Sequence, residues 1–210
     1  MQIDNIVEFK ISKNLVDYDS AITLMQSHIN KMKNKQAKEM LWFLEHNSIF
    51  TAGTSAKEID QKIKNKKLIR YVGRGGQWTW HGPGQRVVYI MLDLKKREKD
   101  IKKYINNLEQ WIISTLKFFK IDAIIQKGNP GVWIERNNTF FKIASVGVRI
   151  SHWITWHGIS INVNPNLKSF EEIVPCGVQN GFVTSMKKEG KNVTLNKFDK
   201  KLKENFSLFF

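Results

Sequence analysis

The amino-acid sequence predicts an α/β (α+β) fold in which helices pack on one mixed β-sheet. Two kinds of apolar pattern predict it. Residues 100–119 repeat apolar side chains every three or four positions, as a helix does, whereas residues 87–94 and 131–163 show the continuous or alternating patterns of strands. A chain of 210 residues is long enough for one sizeable core, so we expect a single domain over residues 1–210.

In the first half of the chain, one helix precedes two strands. Three apolar residues share a helical spacing: Ile22, Met25 and Ile29. They predict a helix from residue 17 to about residue 34. Residues 41–44 and 87–94 are apolar runs of strand length, which predict buried strands. The charged stretch 57–67 is expected to be a solvated loop or helix face.

The second half of the chain predicts a helix, a group of strands and a final helix. The helix over residues 100–119 is carried by Ile101, Tyr104, Ile105, Leu108, Ile112 and Leu116. A strand is expected at residues 121–125, and residues 131–163 predict an antiparallel meander with a turn at Asn137-Asn138. The final helix has Thr194 as its expected cap and apolar positions at Leu195, Phe198, Leu202 and Phe206.

Composition favours a folded protein and limits the function classes. Hydrophobic residues make up 41% of the chain, which excludes the apolar depletion of disordered chains. The N-terminal sequence has carboxylates where a secretory signal has basic residues, and no run approaches about 20 apolar residues, so we expect a cytoplasmic protein that does not enter a membrane. A single cysteine excludes an intrachain disulfide and a multiple-cysteine zinc site. We expect no metal.

The net charge of +15, from 34 basic and 19 acidic residues, favours acidic partners such as nucleic acid, an anionic membrane or an acidic protein. The abundance of Lys, Asn and Ile is also typical of AT-rich genomes. Part of the positive charge is therefore explained equally well by genome composition and by a function in binding acidic partners.

A glycine-rich segment is the first candidate for chemistry. Five glycines lie among the thirteen residues 73–85, which allows backbone to approach a ligand closely. Neither common nucleotide-binding pattern fits, because the Walker Gly-Lys-Ser/Thr ending is absent and Trp78 replaces the third glycine of a dinucleotide fingerprint. One alternative is a β-turn between strands with Trp78 and Trp80 as core anchors. The nearby Arg74, Gln77 and His81 favour a pocket for an amphiphilic chain.

Cys176 and Lys142 are the second candidate. Cys176 lies between Pro175 and Gly177, in a bend that can present its thiol, although a lone cysteine is more often a small buried hydrophobe. A nucleophilic thiol needs a cation or base beside it. Lys142 lies within an apolar strand, where it is either such a cation or an edge-strand lysine pointing to water. Rival bases are His81, His152 and His157, and spacing alone does not decide among them.

Several segments together resemble the lipoyl(octanoyl) transferase family. They read RGGQWTWHGPGQ at 74–85, KIASVGVR at 142–149, HG at 157–158, NVN at 162–164 and PCG at 175–177. The resemblance extends from residues 44–46 to residues 184–185, in the family's order. It implies the catalytic-domain fold of biotin and lipoate protein ligases. It also implies an acyltransferase, which moves an octanoyl or lipoyl group from an acyl-carrier-protein thioester to a lysine of lipoyl domains.

The resemblance also assigns roles to residues and partners. Cys176 carries the acyl group as a thioester, and Lys142 favours the thiolate and shuttles protons. The acyl-substrate contacts fall on Arg74, Gly75, Gly76, Gln77, Trp78, Thr79, Trp80, His81, Ser145, Val146, Gly147, Gly158, Ile159 and Ser160. The expected acceptors are lipoyl domains of 2-oxoacid dehydrogenase complexes and the glycine cleavage H protein. Thioester exchange needs no ATP, so no cofactor and no nucleic acid are expected.

The chain departs from the family pattern at Trp78 and Arg86, where smaller or apolar residues are usual. We expect both beside the acyl pocket, and Arg86 and His152 near its mouth. These departures leave the acyl-chain length open.

Two other functions remain possible from the sequence. One is an ATP-dependent lipoate protein ligase of the same fold, against which the Pro-Cys-Gly context of Cys176 argues. The other is a basic nucleic-acid-binding module, suggested by the charge and by seven tryptophans that could stack on bases. The tryptophans, however, alternate with apolar residues as core positions do.

Overall fold

A computed structural model describes residues 7–174 and 182–210 of the chain. Within these ranges the helices are α1 (Tyr18–Lys33), α2 (Ile101–Phe118) and α3 (Leu195–Phe206). The strands are β1 (Glu8–Ile11), β2 (Met40–Leu44), β3 (Ile49–Ala52), β4 (Ile69–Tyr71), β5 (Trp78–His81), β6 (Gln85–Met91), β7 (Ile124–Gln126), β8 (Asn129–Arg136), β9 (Thr139–Ser151), β10 (Ile154–Asn162) and β11 (Phe182–Val183).

The strands form one large and one small sheet. The large sheet has the order β1-β2-β6-β10-β9-β8-β7, and β11 also pairs with β9. Its β1–β2 and β9–β11 pairs are parallel and its other pairs are antiparallel. The small sheet has the order β4-β3-β5. The predicted mixed sheet is confirmed, and the small sheet is an addition that the sequence did not suggest.

At strands β2, β6 and β10, both faces of the large sheet are buried. On β2, Leu41 and Phe43 face the core shared with α2 and α3, whereas Trp42 and Leu44 face the core shared with α1. On the α2–α3 side, Trp111 Nε1 also donates to the backbone oxygen of Leu202 at 2.7 Å. Burial on both faces explains why the sequence shows continuous apolar runs here rather than alternation.

The three predicted helices are confirmed, and Thr194 caps the last of them as expected. Asp17 accepts a hydrogen bond from Ser20 N at 2.9 Å, and Thr194 accepts one from Lys197 N at 3.3 Å. The strand expected at residues 121–125 begins only at Ile124. The reason is that Lys120 has a left-handed backbone (φ 58) and Ile121 N still bonds to Leu116 O, so these residues close the end of α2.

The meander over β8, β9 and β10 is confirmed as well. Its first turn is Asn137-Asn138, with φ angles of 47° and 60°, as two-residue hairpin turns require. The strand predicted at 87–94 spans Gln85–Met91, and a 3₁₀ turn at Leu94–Lys96 follows it. The stretch 57–67 is mostly exposed, as expected, although Ile63 is buried.

The glycine-rich segment passes the chain from the small sheet to the large one. β5 pairs with β3, and β6 pairs with β2 and β10, so the turn between β5 and β6 does not form a hairpin. Gly84 in this turn has φ +83°, and a Cβ there would lie 2.2 Å from Asn164 O. Glycine is therefore required at this position. Among the residues that the structure describes, no helix is long and apolar enough to span a bilayer.

The expectation that Arg86 lies at the pocket mouth is wrong. Arg86 is 3% exposed and its Nε donates to Asp199 Oδ1 of α3 at 2.9 Å. Its neighbours Val87 and Tyr89 belong to the core on the α1 side, whereas Val88 belongs to the α2–α3 side with Arg86. A charge reversal at Arg86 would therefore damage the core rather than probe a docking surface.

The ion pair predicts a pH-dependent stability. Burial raises the pKa of Asp199 to about 6, and the charge of Arg86 offsets this only in part. Because the folded value lies above the ordinary 3.8, the stability that Asp199 contributes is present below about pH 3.8 and is lost as the pH rises through about 6. We expect the free energy of unfolding of the wild type, minus that of Asp199→Asn, to fall by about 2 kcal/mol over this range. Urea denaturation at about pH 4 and pH 7 measures it, and an unchanged difference would contradict it.

Candidate active site

A cavity lies on the α1 side of the large sheet, beside the small sheet. The space in the cavity and at its open mouth, including space that is open to solvent, is about 510 Å³. Every residue that the sequence analysis placed in contact with the acyl substrate lines it, except Gly75 and Trp80. Tyr18, Val87, Tyr89 and His157 line it too. The fold thus brings together distant segments of the chain, such as residue 18, residues 74–81 and residues 157–160.

Trp80 and Gly75 are oriented differently from the rest. The Trp80 ring packs against Phe170 in the core of the small sheet, and its Nε1 donates to Ser48 Oγ at 2.9 Å. Gly75 N donates to Val148 O at 2.9 Å, which ties the loop to β9, and Gly75 lines a neighbouring cleft. Trp78 borders the cavity, but its Nε1 donates to Lys57 O at 2.7 Å. Both tryptophans are core anchors, as the β-turn alternative expected.

Arg74 places a fixed positive charge in the cavity wall. It is 7% exposed, and its Nη2 donates to Thr51 O at 2.8 Å and to Thr51 Oγ1 at 2.7 Å. The same nitrogen donates to Gln77 O at 3.0 Å. The guanidinium therefore anchors the glycine-rich loop on β3. At Gly147, a Cβ would lie 3.1 Å from Arg74 Cδ, so glycine lets β9 approach this side chain closely.

His81 has a fixed hydrogen-bonding state. Asn162 Nδ2 donates to Thr184 O at 3.0 Å, Gln85 Nε2 donates to Asn162 Oδ1 at 2.9 Å, and Gln85 Oε1 lies 2.7 Å from His81 Nδ1. The Thr184 backbone oxygen can only accept a hydrogen bond, which fixes the orientation of the Asn162 amide and then that of the Gln85 amide. His81 Nδ1 must therefore carry the proton that Gln85 Oε1 accepts. His81 Nε2 is then left with a lone pair.

The histidines of the cavity are neutral. Burial lowers the pKa of His81 to about 3, and the neighbouring His46 and Arg74 oppose its charge as well. Burial also lowers the pKa of His157 to about 3, assisted by Arg74 and Arg149. His46 Nδ1 lies 2.8 Å from Val16 O, and its Nε2 lies 2.8 Å from the Tyr89 hydroxyl, which donates to it. Of the rival bases, His152 is exposed in the β9–β10 turn and does not line the cavity.

Lys142 is a buried cation. It lies on β9 with 3% of its surface exposed, which contradicts the alternative of an edge-strand lysine pointing to water. Its Nζ donates to Pro130 O at 2.7 Å and lies 4.7 Å from the centroid of the Trp133 ring. Val183 of β11 pairs with Lys142. The proposed nucleophile, Cys176, lies outside the described residues.

Comparisons with known proteins place the chain in a family. Residues 17–207 match the family model described as lipoyl protein ligase A/B catalytic domain. The chain belongs to this family. It is 45% identical, over 97% of its length and 87% of the relative's, to an octanoyltransferase of Bartonella quintana. The chain is thus an acyltransferase enzyme of the octanoyltransferase branch.

Solved structures confirm the predicted fold class. A bipartite lipoate protein ligase of Thermoplasma acidophilum superposes with a TM-score of 0.70 at 14% identity, covering 97% of this chain and 84% of that one. A biotin protein ligase of Aquifex aeolicus gives a TM-score of 0.53 at 13% identity, covering 96% and 67%. At these identities the likeness concerns the fold alone.

For this enzyme we expect neither His81 nor His157 to titrate in the physiological range. Both pKa values are lowered by burial to about 3, far below the ordinary value of 6.5. The ¹⁵N shifts of both rings should stay constant between about pH 5 and pH 8, with free histidine in the sample as the titrating reference. A midpoint near pH 6.5 for either ring would contradict the neutral cavity and return that histidine to the list of bases.

The site also contains residues that were not predicted from the sequence: Tyr18, His46, Tyr89 and the pair Gln85–Asn162. Tyr89 carried a weak signal, since a tyrosine in an otherwise aliphatic buried strand needs a partner for its hydroxyl. His46 is that partner. Tyr18 gave no signal, because only the packing of α1 brings its first turn to the cavity.

Proposed function

We propose that the enzyme transfers an octanoyl group from the thioester of acyl carrier protein to a lysine of a lipoyl domain, through a thioester on Cys176. The observation that carries the proposal is the burial of the Lys142 ammonium on the same strand as Ser145, Val146 and Gly147 of the cavity wall. A buried cation near a thiol favours the thiolate. Cys176 is six positions before Phe182, which pairs with Phe141 next to Lys142.

The two half-reactions balance with one lysine. In the first, the Cys176 thiolate attacks the octanoyl carbonyl, the bond to the carrier sulfur breaks, and the Lys142 ammonium protonates the departing carrier thiolate. In the second, the acceptor amine attacks the acyl-Cys176 carbonyl, the carbon–sulfur bond breaks, and neutral Lys142 takes the amine proton. This step restores the thiolate and the ammonium. Ping-pong kinetics follow.

The cavity is suited to the acyl chain and to its protection from water. Val87, Val146 and Ile159 supply apolar surface, and the neutral His81 and His157 add no charge. Excluding water suppresses hydrolysis of the thioester, which competes with transfer. The proposal also includes a single catalytic domain over residues 1–210, a cytoplasmic location, and lipoyl domains of 2-oxoacid dehydrogenase complexes or the glycine cleavage H protein as acceptors.

Intact mass spectrometry tests the proposal. Incubation with octanoyl-carrier protein alone should add one octanoyl group to the enzyme, and subsequent addition of a lipoyl domain should move that group to the domain. A parallel sample with lipoate and ATP, but without carrier, tests the ligase alternative. Modification of the lipoyl domain only in the second sample would overturn the proposal in favour of an ATP-dependent ligase.

The nucleic-acid alternative loses the support that the tryptophans gave it. All tryptophans except Trp153 are buried, so they are not available as platforms for stacked bases.

A further inference from the structure

Helix α2 carries an acidic residue in its buried face. Glu109 is 5% exposed, and its Oε1 accepts a hydrogen bond from Gly131 N at 2.7 Å. Burial raises the pKa of Glu109, which the Gly131 bond and the positive charge of Lys142 oppose. A carboxylate in this position costs free energy unless it is bonded and faces a cation.

The peptide bond that Glu109 contacts is the one that holds Lys142. The N–H of the Pro130–Gly131 peptide donates to Glu109, and the C=O of the same peptide accepts from Lys142 Nζ at 2.7 Å. In a trans peptide these two groups point in opposite directions. One peptide unit therefore lies between a buried carboxylate and a buried ammonium.

Position 131 of this peptide has no room for a side chain. Gly131 has φ +119°, and a Cβ there would lie 2.6 Å from Lys142 Cε and 2.6 Å from Ala144 O. Only glycine lets the peptide approach the lysine this closely. The contact between this peptide and the Lys142 side chain therefore requires glycine at position 131.

We propose that Glu109 is a positioning residue, which holds the Lys142 ammonium in place through the Pro130–Gly131 peptide. The inference rests on the proposed function, because it assumes that Lys142 activates Cys176. A hydrogen bond to a carboxylate is about twice as strong as one to a neutral acceptor. The bond also polarises the peptide, so that its carbonyl becomes a stronger acceptor for Lys142.

The test is a double-mutant cycle on the alkylation rate of Cys176, which is the only thiol of the chain. Glu109→Gln and Glu109→Ala are each made alone and with Lys142→Met, and iodoacetamide is the reagent at neutral pH. Glu109→Gln keeps an oxygen acceptor but removes the charge, and we expect a roughly fivefold slower rate. Glu109→Ala also frees the peptide to move, and a loss of up to about a hundredfold is expected. With Lys142→Met present, neither change should slow the reaction further.

Thr115→Val is the matched control, since Thr115 is buried on the same helix and its hydroxyl bonds to helical residues, donating to Trp111 O and accepting from Asn205 Nδ2 of α3. Its rate should equal that of the wild type. If the Glu109 variants react like the wild type while Lys142→Met is slow, the positioning role is wrong and the proposed function stands. The positioning role is also overturned if the Glu109 substitutions slow alkylation by the same factor in Lys142→Met as in the wild type. If Lys142→Met itself reacts like the wild type, Lys142 does not activate Cys176. That part of the proposed function is then contradicted, and the positioning role of Glu109 is contradicted with it. Should Glu109→Ala not fold, Glu109→Gln carries the same comparison.

Discussion

Replacing Cys176 by alanine is expected to leave the enzyme unable to acquire an octanoyl group from octanoyl-carrier protein. Transfer to a lipoyl domain should fall by at least about a thousandfold, as when a nucleophile is removed from other covalent catalysts. The physical reason is that, without Cys176, the lysine of the lipoyl domain would have to attack the carrier thioester directly. The acyl carrier protein and the lipoyl domain would then both have to occupy one site simultaneously. Intact mass measures the adduct, and a lipoyl-domain shift assay measures the transfer.

Binding of the donor separates a loss of chemistry from a loss of fold. The cavity residues remain in Cys176→Ala, so the carrier-bound donor should bind with nearly unchanged affinity and the melting temperature should stay close to that of the wild type. Transfer by Cys176→Ala at a rate near that of the wild type would show that no covalent intermediate is needed. Transfer would then have to be direct.

The helices and the meander could be predicted because their signals are local. In α2 and α3 the apolar positions repeat within one turn, and the Asn137-Asn138 turn is specified by its own two residues. The small sheet had no such signal. Its strands β3 and β4 are only four and three residues long, too short for a clear apolar pattern, and residues 53–68 separate them.

The face on which a side chain lies was harder to predict than the strand itself. β6 is buried on both faces, so its apolar residues show no alternation, and nothing local separates Arg86 from Val87. Arg86 was therefore placed at the cavity, whereas its partner Asp199 is 113 positions away. Glu109 offers the opposite lesson. An acidic residue within an apolar helical stripe is a local anomaly, and its partner peptide became visible only in the fold.

Lys142 could be identified in the sequence because its neighbours are apolar, but the contacts of its side chain could not be predicted. The carbonyl that receives its ammonium belongs to β8, and the ring beneath it is Trp133 of the same strand. These contacts depend on the register between β8 and β9, which shifts at Val132/Trp133. The irregularity coincides with the place where the Lys142 side chain passes Gly131.

Removing the Lys142 charge is expected to slow octanoyl transfer by about 10²- to 10⁴-fold, the usual contribution of a general acid–base group. Lys142→Met is the preferred variant, because methionine retains an unbranched stem that fills the space beside Trp133 while removing the ammonium. Lys142→Arg keeps the charge but does not release a proton near neutral pH, so it should restore little activity. Rates of acylation and of transfer, each in a single turnover, measure the effect on the two half-reactions.

The pH dependence of Cys176 alkylation identifies the cause of the loss. A nearby cation favours the thiolate, so its removal should move the alkylation profile of Lys142→Met to higher pH than that of the wild type. Lys142→Arg should alkylate more nearly like the wild type and yet transfer poorly, because it supplies charge without a proton shuttle. This pair of variants separates the electrostatic role from the proton-transfer role. An alkylation profile in Lys142→Met that coincides with that of the wild type would remove Lys142 from the activation of the thiol, and the base would have to be sought elsewhere in the chain.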